Sequence, residues 1–516
     1  MQHIGDVSRV VVRHEVDEAG LARLRRPRND IVAEIAVEAD TYELAEGPFQ
    51  RYHRSLAVEE DGGRCPTHRV VVETIDYRLA IPYFGFLFWW PVRRAMRQPP
   101  STDGTQPWWS PPQRLDARSA AIMGTLAAVV ILSGYLSNAP AETHTYAADE
   151  FGVDQLSQGT LGAVVRVGTL LALPASILAD RTGRRRILAV AMVVGIAASL
   201  LAAIAPTFVA FGAVLVVTRT ANATLGAMVT IIAIEEMPAG SRAWALSILG
   251  MTAALGAGTV VWFQPLAGIA EWTWRLIYLL PIVMIPFVMG ILRRLPESRR
   301  FERRRVDVRL RDYASRMALL GTVFFLIALF LSPIDWFRGE YLRDEHGFSA
   351  GRVSLLVLIS ATPGGLGLYV AGRIADVRGR RIVIATATVF GLGCIVAFYN
   401  ATGLALWALA MVASIVASGL LPSIGVFRGE MFPTAIRARA AALAGAVGVV
   451  GGSLGIFLAG YLRQEWGAFG PVIGLLWAGP LVAAAVVWFR FTEGARRELE
   501  DLNPEDPNPE DPAPSS

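Results

Sequence analysis

The sequence predicts an all-α membrane protein: twelve transmembrane helices in two pseudo-symmetric six-helix halves, preceded by a small α+β cytoplasmic domain. Three observations carry that reading. The 516 residues are 53% hydrophobic and only 18% charged, with a mean hydropathy of +0.43, outside the range of an ordinary soluble enzyme. From about Ala117 to Phe491 the chain breaks into apolar stretches of roughly 20 residues, each long enough as a helix to cross a ~30 Å hydrocarbon core. Finally, a distinctive polar turn recurs at a fixed distance along the chain, as expected of two copies of one unit.

Residues 1–97 read as the soluble domain. Val7 to Val16, Ile31 to Ala39, Phe49 to Val58 and His68 to Ile81 are rich in Val and Ile and predict three or four strands. The aromatic run from Leu79 to Val92 is too short to span, so it predicts an interfacial helix or a core helix of this domain. Residues 98–116, with five prolines between Gln98 and Pro112, form a linker. Spans follow near 117–138, 158–178, 186–205, 208–233, 242–264 and 274–292, making a first half over 117–294. After an inter-half loop at 295–316, spans near 317–337, 351–372, 381–399, 403–427, 438–462 and 470–491 make the second half over 317–491. Residues 492–516 are an acidic, proline-rich tail expected to be disordered.

Arginine bias orients the chain. One set of turns holds Arg184-Arg185-Arg186, Arg293-Arg294, Arg303-Arg304-Arg305, Arg380-Arg381, Arg437 and Arg439, while the opposite set has scattered arginines such as Arg275 and Arg463. The first set predicts the cytoplasmic side, and twelve crossings put both termini there, in a plasma membrane. The first 30 residues have no long apolar core, so no cleavable signal peptide is expected. All 48 basic residues are arginine, which excludes a Schiff-base or P-loop lysine. Cys65 and Cys394 are too few and too far apart for a disulfide framework or metal cluster, and no cofactor is implied. A basic balance beside apolar helices points to anionic membrane lipids as partners and away from nucleic acid.

The recurring turn reads Leu178-Ala179-Asp180-Arg181-Thr182-Gly183-Arg184-Arg185-Arg186 and Ile374-Ala375-Asp376-Val377-Arg378-Gly379-Arg380-Arg381, its aspartates 376 − 180 = 196 residues apart. A second pair, Glu235 with Arg242 and Glu430 with Arg437, recurs at 430 − 235 = 195. Glycine permits the tight reversal, and the aspartate suits a helix cap or a pair with arginine of the other half. These residues resemble the signature loop of the major facilitator superfamily. Trp274-Arg275, Leu295-Pro296-Glu297-Ser298-Arg299-Arg300-Phe301 and Thr492-Glu493-Gly494-Ala495-Arg496-Arg497 are similar to its sugar-porter-like and metabolite:proton symporter branches. The resemblance covers roughly residues 115–502. It implies the major facilitator fold and alternating access about a central site. It departs from sugar porters in lacking glutamine in the bodies of spans five and seven, and predicted span one has no carboxylate for proton coupling.

Charges inside apolar spans are costly and mark candidate sites. Arg166 of span two falls near the midplane and suits an anionic group. Arg219 of span four resembles a conserved facilitator arginine that handles protons or braces the cavity, with Asn222 one turn on. Asp335, near the outer end of span seven, is a candidate outer gate, proton site or plain helix-end carboxylate. Gln264 is a further polar candidate. Asp180, Arg184, Asp376, Arg380, Glu235, Arg242, Glu430, Arg437 and Arg439 form a candidate cytoplasmic gate, in which Asp180 is expected to pair with Arg437 or Arg439.

The function so predicted is non-enzymatic: secondary transport of a small organic solute, anionic by Arg166, with proton-coupled symport as one hypothesis. Drug/proton efflux and a membrane sensor with a signalling soluble domain stand as alternatives. His14, His53 and His68 form no catalytic constellation with neighbouring residues.

Overall fold

The computed structural model describes residues 7–59, 69–153, 161, 164–166, 168–263, 266–267, 269–294, 310–348, 350–433, 436–495, 497 and 499–503. The chain divides into two compact units, Met1–Ala128 and Val129–Ser516.

The first unit is built on five antiparallel strands, one more than the sequence suggested. They are β1 (Ser8–Val16), β2 (Ala33–Glu38), β3 (Thr41–Glu46), β4 (Phe49–Glu59) and β5 (Arg69–Leu79), in the spatial order β1-β5-β4-β3-β2. β3 carries two glutamates in six residues and so hides from a Val/Ile count. It exists because Asp40, at φ 64°, reverses the chain tightly after β2. A short helix α1 (Glu18–Leu24), also unforeseen, starts where Asp17 accepts the Gly20 N–H at 2.7 Å. The aromatic run becomes helix α2 (Gly85–Met96), which begins only after Pro82 and a left-handed Tyr83 at φ 63°. Val92 and Met96 of α2 join Val10, Phe49, Tyr52, Ile75 and Tyr77 in the core. Buried Arg28 fixes the end of α2 by donating to the carbonyls of Ala95, Met96 and Gln98.

A buried ionic cluster lies in the same domain. Arg54 donates to Glu73 at 2.6 Å, to Glu34 at 2.9 Å and to the Leu24 carbonyl. Tyr52 donates to Glu34, and His14 lies 2.9 Å from the other Glu73 oxygen. The predicted linker has no regular structure before Asp116, yet it is fastened to the domain through Arg114 to Asp30 O and Gln106 to Asp30 O. Asp116 then caps the first membrane helix by accepting the Ser119 N–H.

Ten helices among the described residues are long and apolar enough to cross a membrane, and Arg275–Ile291 is a shorter apolar helix. They occupy eleven of the twelve expected positions, so below they keep the numbers of the predicted spans. The helix of span one runs Ala117–Phe151, ending thirteen residues beyond the expected span (151 − 138); its apolar crossing part is Ala117–Pro140, and Glu142, Asp149 and Glu150 lie on the extension. The membrane-crossing part, Ala117–Pro140, has no carboxylate, as the sequence predicts. Span two is described as helix over Ala172–Thr182 and at residues 161, 164–166 and 168–170. Span six falls short because Pro281 and Pro286 interrupt it with a 3₁₀ turn at Leu280–Met284.

Within the second unit, close approach at glycine repeats with the sequence. A Cβ at Gly256 of span five would stand 2.1 Å from the Ile131 carbonyl of span one, and one at Gly451 of span eleven 2.4 Å from the Phe325 carbonyl of span seven. Those glycines are 451 − 256 = 195 residues apart, the spacing of the polar turns. Only glycine allows such contact.

Candidate functional site

The two Arg-rich turns fold alike. Gly183 and Gly379 sit at φ 101° and 111°, a region that favours glycine, and each starts a helix whose first residue, Arg184 or Arg380, is buried. Above them, the partners of the second repeated pair are exchanged between halves. Arg242 of the first half reaches Glu430 of the second at 3.2 Å, and Arg437 of the second reaches Glu235 of the first at 2.8 Å. Arg184 adds to Glu235 at 3.6 Å and Arg380 to Glu430 at 3.1 Å. All six side chains are essentially buried.

Asp376 plays a part that composition could not reveal. Its two oxygens accept the N–H groups of Ala243 and Trp244 at 3.1 and 2.7 Å, capping span five of the other half, while Arg380 pairs with it at 3.2 Å. Glu493 likewise caps span nine, accepting the Arg380 and Arg381 N–H groups. Residues 492–503, assigned by sequence to a disordered tail, therefore return to the bundle in part. Asn503 is buried, donates to the Glu430 carbonyl at 2.8 Å and accepts from Arg316.

Arg437, one of the two arginines expected to pair with Asp180, is held by Glu235. The Asp180 side chain lies outside the described residues. Arg439, two positions on, is half-buried.

Spans five and eight part as they leave this end. A Cβ at Gly372 would stand 2.2 Å from Ser247 Oγ, one at Gly250 3.4 Å from Leu368, and one at Gly365 3.9 Å from Met251. Spans five and eight thus make their tightest glycine contact near the Arg-rich end, where the ion pairs also join the halves.

Midway along the bundle, Gly168 lets span two lie against span four, where a Cβ would meet the Val216 carbonyl at 2.6 Å and Arg219 Cβ at 3.0 Å. Arg166 and Arg219 thus come within electrostatic range of each other, both half-buried. Arg219 donates to Thr169 at 3.1 Å, and Asn222 accepts from Ser133 of span one at 2.6 Å. Asn138 of span one donates to the Ala257 carbonyl at 3.2 Å. Asp335 is exposed on span seven, and Gln264 lies outside the described residues. Sequence reading missed Ser133, Asn138, Thr169 and Arg428. Arg428 of span ten sits 5.8 Å over the Phe324 ring of span seven; it lies one residue past the predicted end of span ten at 427, so it did not register as a charge within a span.

At the opposite end Trp274 and Arg275 bind Glu150 of span one at 2.6 and 2.9 Å, and Arg275 also donates to the carbonyls of Ala203 and Ala205. This motif ties spans one, three and six of the first half. No group of three metal-binding side chains occurs among the described residues.

The model of the Major Facilitator Superfamily matches residues 120–337 and 320–514. The chain is 25% identical to the citrate-proton symporter of Klebsiella pneumoniae over 294 residues, 51% of this chain and 64% of that protein. Among solved structures it is similar to the proton:xylose symporter XylE bound to 6-bromo-6-deoxy-D-glucose, with a TM-score of 0.64 and 18% identity over 76% of this chain and 99% of that one. It is also similar to FucP in the outward conformation, at 0.58 and 14% over 71% and 99%, and to the human organic anion transporter MFSD10, at 0.60 and 13% over 72% and 99%. Family model, repeat and exchanged latch agree, and the chain belongs to the Major Facilitator Superfamily of membrane transporters.

Proposed function

We propose that the chain carries a small organic anion, together with protons, across a plasma membrane by alternating access of its two halves. The observation that carries the anion is the pair Arg166 and Arg219, brought within electrostatic range in the middle of an apolar bundle. Both guanidinium groups are half-buried in low dielectric, where a solute carboxylate is attracted strongly. Likeness to a citrate-proton symporter supports both the charge of the solute and the coupling ion. Exposed Asp335 and half-buried Glu142 are the carboxylates we assign to proton coupling. The Arg-rich end is assigned to the cytoplasm with both termini, and anionic lipids are the remaining partners.

In this reading the structure is the state closed at the cytoplasmic end, ready to take solute from outside. Uptake by proteoliposomes of a panel of mono-, di- and tricarboxylates and neutral sugars, with and without an inward proton gradient, tests it. Carboxylate uptake should rise with the gradient. Arg219→Ala should cut it by about 100-fold or more, with Arg219→Lys recovering part because the planar fork is lost. Uptake confined to neutral sugars, or undiminished in Arg219→Ala, would contradict the reading.

A further inference from the structure

Helix α2 has two apolar faces, and the soluble core accounts for one. Val92 and Met96 are buried in the sheet with Phe88 and Ala95 packed beside them. Phe86, Leu87, Trp89 and Trp90 instead remain 72%, 60%, 47% and 61% exposed in the complete chain. A soluble domain rarely leaves four large apolar side chains together in water.

Two further features say what covers them. Arg93 stands 5.2 Å over the Trp89 ring and Arg94 5.5 Å over the Trp90 ring, so two guanidinium groups stand beside the exposed aromatics. Amphipathic rings beside cations suit the boundary between acyl chains and anionic headgroups. The position of the helix also fits. Ile81 and Pro82, just before it, lie against span one, where a Cβ at Gly124 would stand 2.9 Å from Pro82. Gly124 is seven residues into that helix (124 − 117), about 10 Å along its axis. The start of α2 is therefore held at the level where span one enters the bilayer. At 12 residues, about 18 Å, α2 lies along the surface and cannot cross.

We propose that α2 is a membrane-surface helix: Phe86, Leu87, Trp89 and Trp90 insert at the acyl boundary of the leaflet on the Arg-rich side, and Arg93 and Arg94 bind phosphates of anionic lipid. The soluble domain is thereby seated on the membrane, with Arg28 and the Pro82 turn fixing the angle of α2.

The test uses the full chain, with Cys65 and Cys394 changed to serine, in vesicles of phosphatidylcholine with or without phosphatidylglycerol. A nitroxide is placed at Leu87→Cys or Trp90→Cys, or at the exposed sheet position Arg51→Cys. The labels on α2 should be relaxed by oxygen and shielded from aqueous nickel chelate, whereas the label at 51 should show the reverse. Removing phosphatidylglycerol, or introducing Arg93→Gln with Arg94→Gln, should weaken lipid contact by about fivefold per arginine. Equal nickel access at 51, 87 and 90 would overturn the proposal. So would shielding at 87 and 90 from both reagents that persists in detergent and grows with protein concentration, since a second copy would then be the occupant. The labelled side chains are exposed, and an unchanged label at 51 in the arginine variant confirms that the sheet is intact.

Discussion

Two buried arginine clusters use the same chemistry for opposite purposes. In the soluble domain Arg54 is held by Glu34 and Glu73, all from one sheet, with no exposure of any of the three side chains. At the Arg-rich end of the bundle, Arg242 and Arg437 are equally buried, but their carboxylates Glu430 and Glu235 come from the opposite half. Desolvating such charges costs several kcal/mol per ion, and only well-formed pairs offset it. In the sheet the offset is permanent, because one folding domain supplies every partner. In the bundle the partners come from different halves, so in the alternating-access cycle proposed above the offset lasts only while the halves are together. A pair within one body fixes a fold, whereas an exchanged pair between two halves is the kind of contact that we propose balances two states.

The sharpest way to break the comparison is to orphan each cluster in turn. Arg54→Met leaves Glu34 and Glu73 buried without their cation and should destabilise the soluble domain by about 3–5 kcal/mol. Hydrogen exchange of the β4 and β5 amides in the full chain should report the loss. Unchanged protection would show that the cluster is not a fixed structural element. Glu235→Gln should act differently, because the bundle can escape the orphaned Arg437 by opening. We expect about a tenfold shift toward the state open at the Arg-rich end, roughly 1.4 kcal/mol, with little change in thermal stability. Arg437→Ala added to it should produce less than the sum of the two effects.

The smallest effect belongs to a surface pair that sharpens the contrast. Arg9, hydrogen-bonded to Asp76 at 2.7 Å, holds the Asp76 carboxyl below its ordinary value. A depressed carboxylate stabilises above its unfolded pKa of about 3.9, and that stability is lost as pH falls through the lower folded value. Arg9→Gln should raise the Asp76 titration midpoint seen by NMR while leaving both buried clusters unchanged.

Much of the bundle was legible because duplication writes itself twice. A spacing of 195 or 196 residues relates Asp180 to Asp376, Glu235 to Glu430 and Gly256 to Gly451. It could not show that the partners are exchanged, since Glu235 and Arg242 stand seven residues apart in one repeat and tertiary structure alone sends each across the boundary (242 − 235). Asp376 capping span five was hidden for the same reason: the donors to its carboxylate are main-chain N–H groups, which no residue type reveals. In the soluble domain β3 escaped because polar residues on a half-exposed strand leave no apolar alternation. Arg166 and Arg219 were found as charges in apolar spans, but their proximity depends on Gly168, which looked like one small residue among many.

The central claim is that the bundle's cluster opens in every cycle while the domain's does not. Thr182 and Arg378 are exposed, repeat-related positions on the two Arg-rich turns, 378 − 182 = 196 residues apart. Spin labels at these two sites, in the cysteine-free full chain in lipid, measure the separation of the halves directly. The account predicts two distances, the longer of which gains population in Glu235→Gln and is unaffected by Arg54→Met. A single distance that Glu235→Gln leaves unchanged would contradict it.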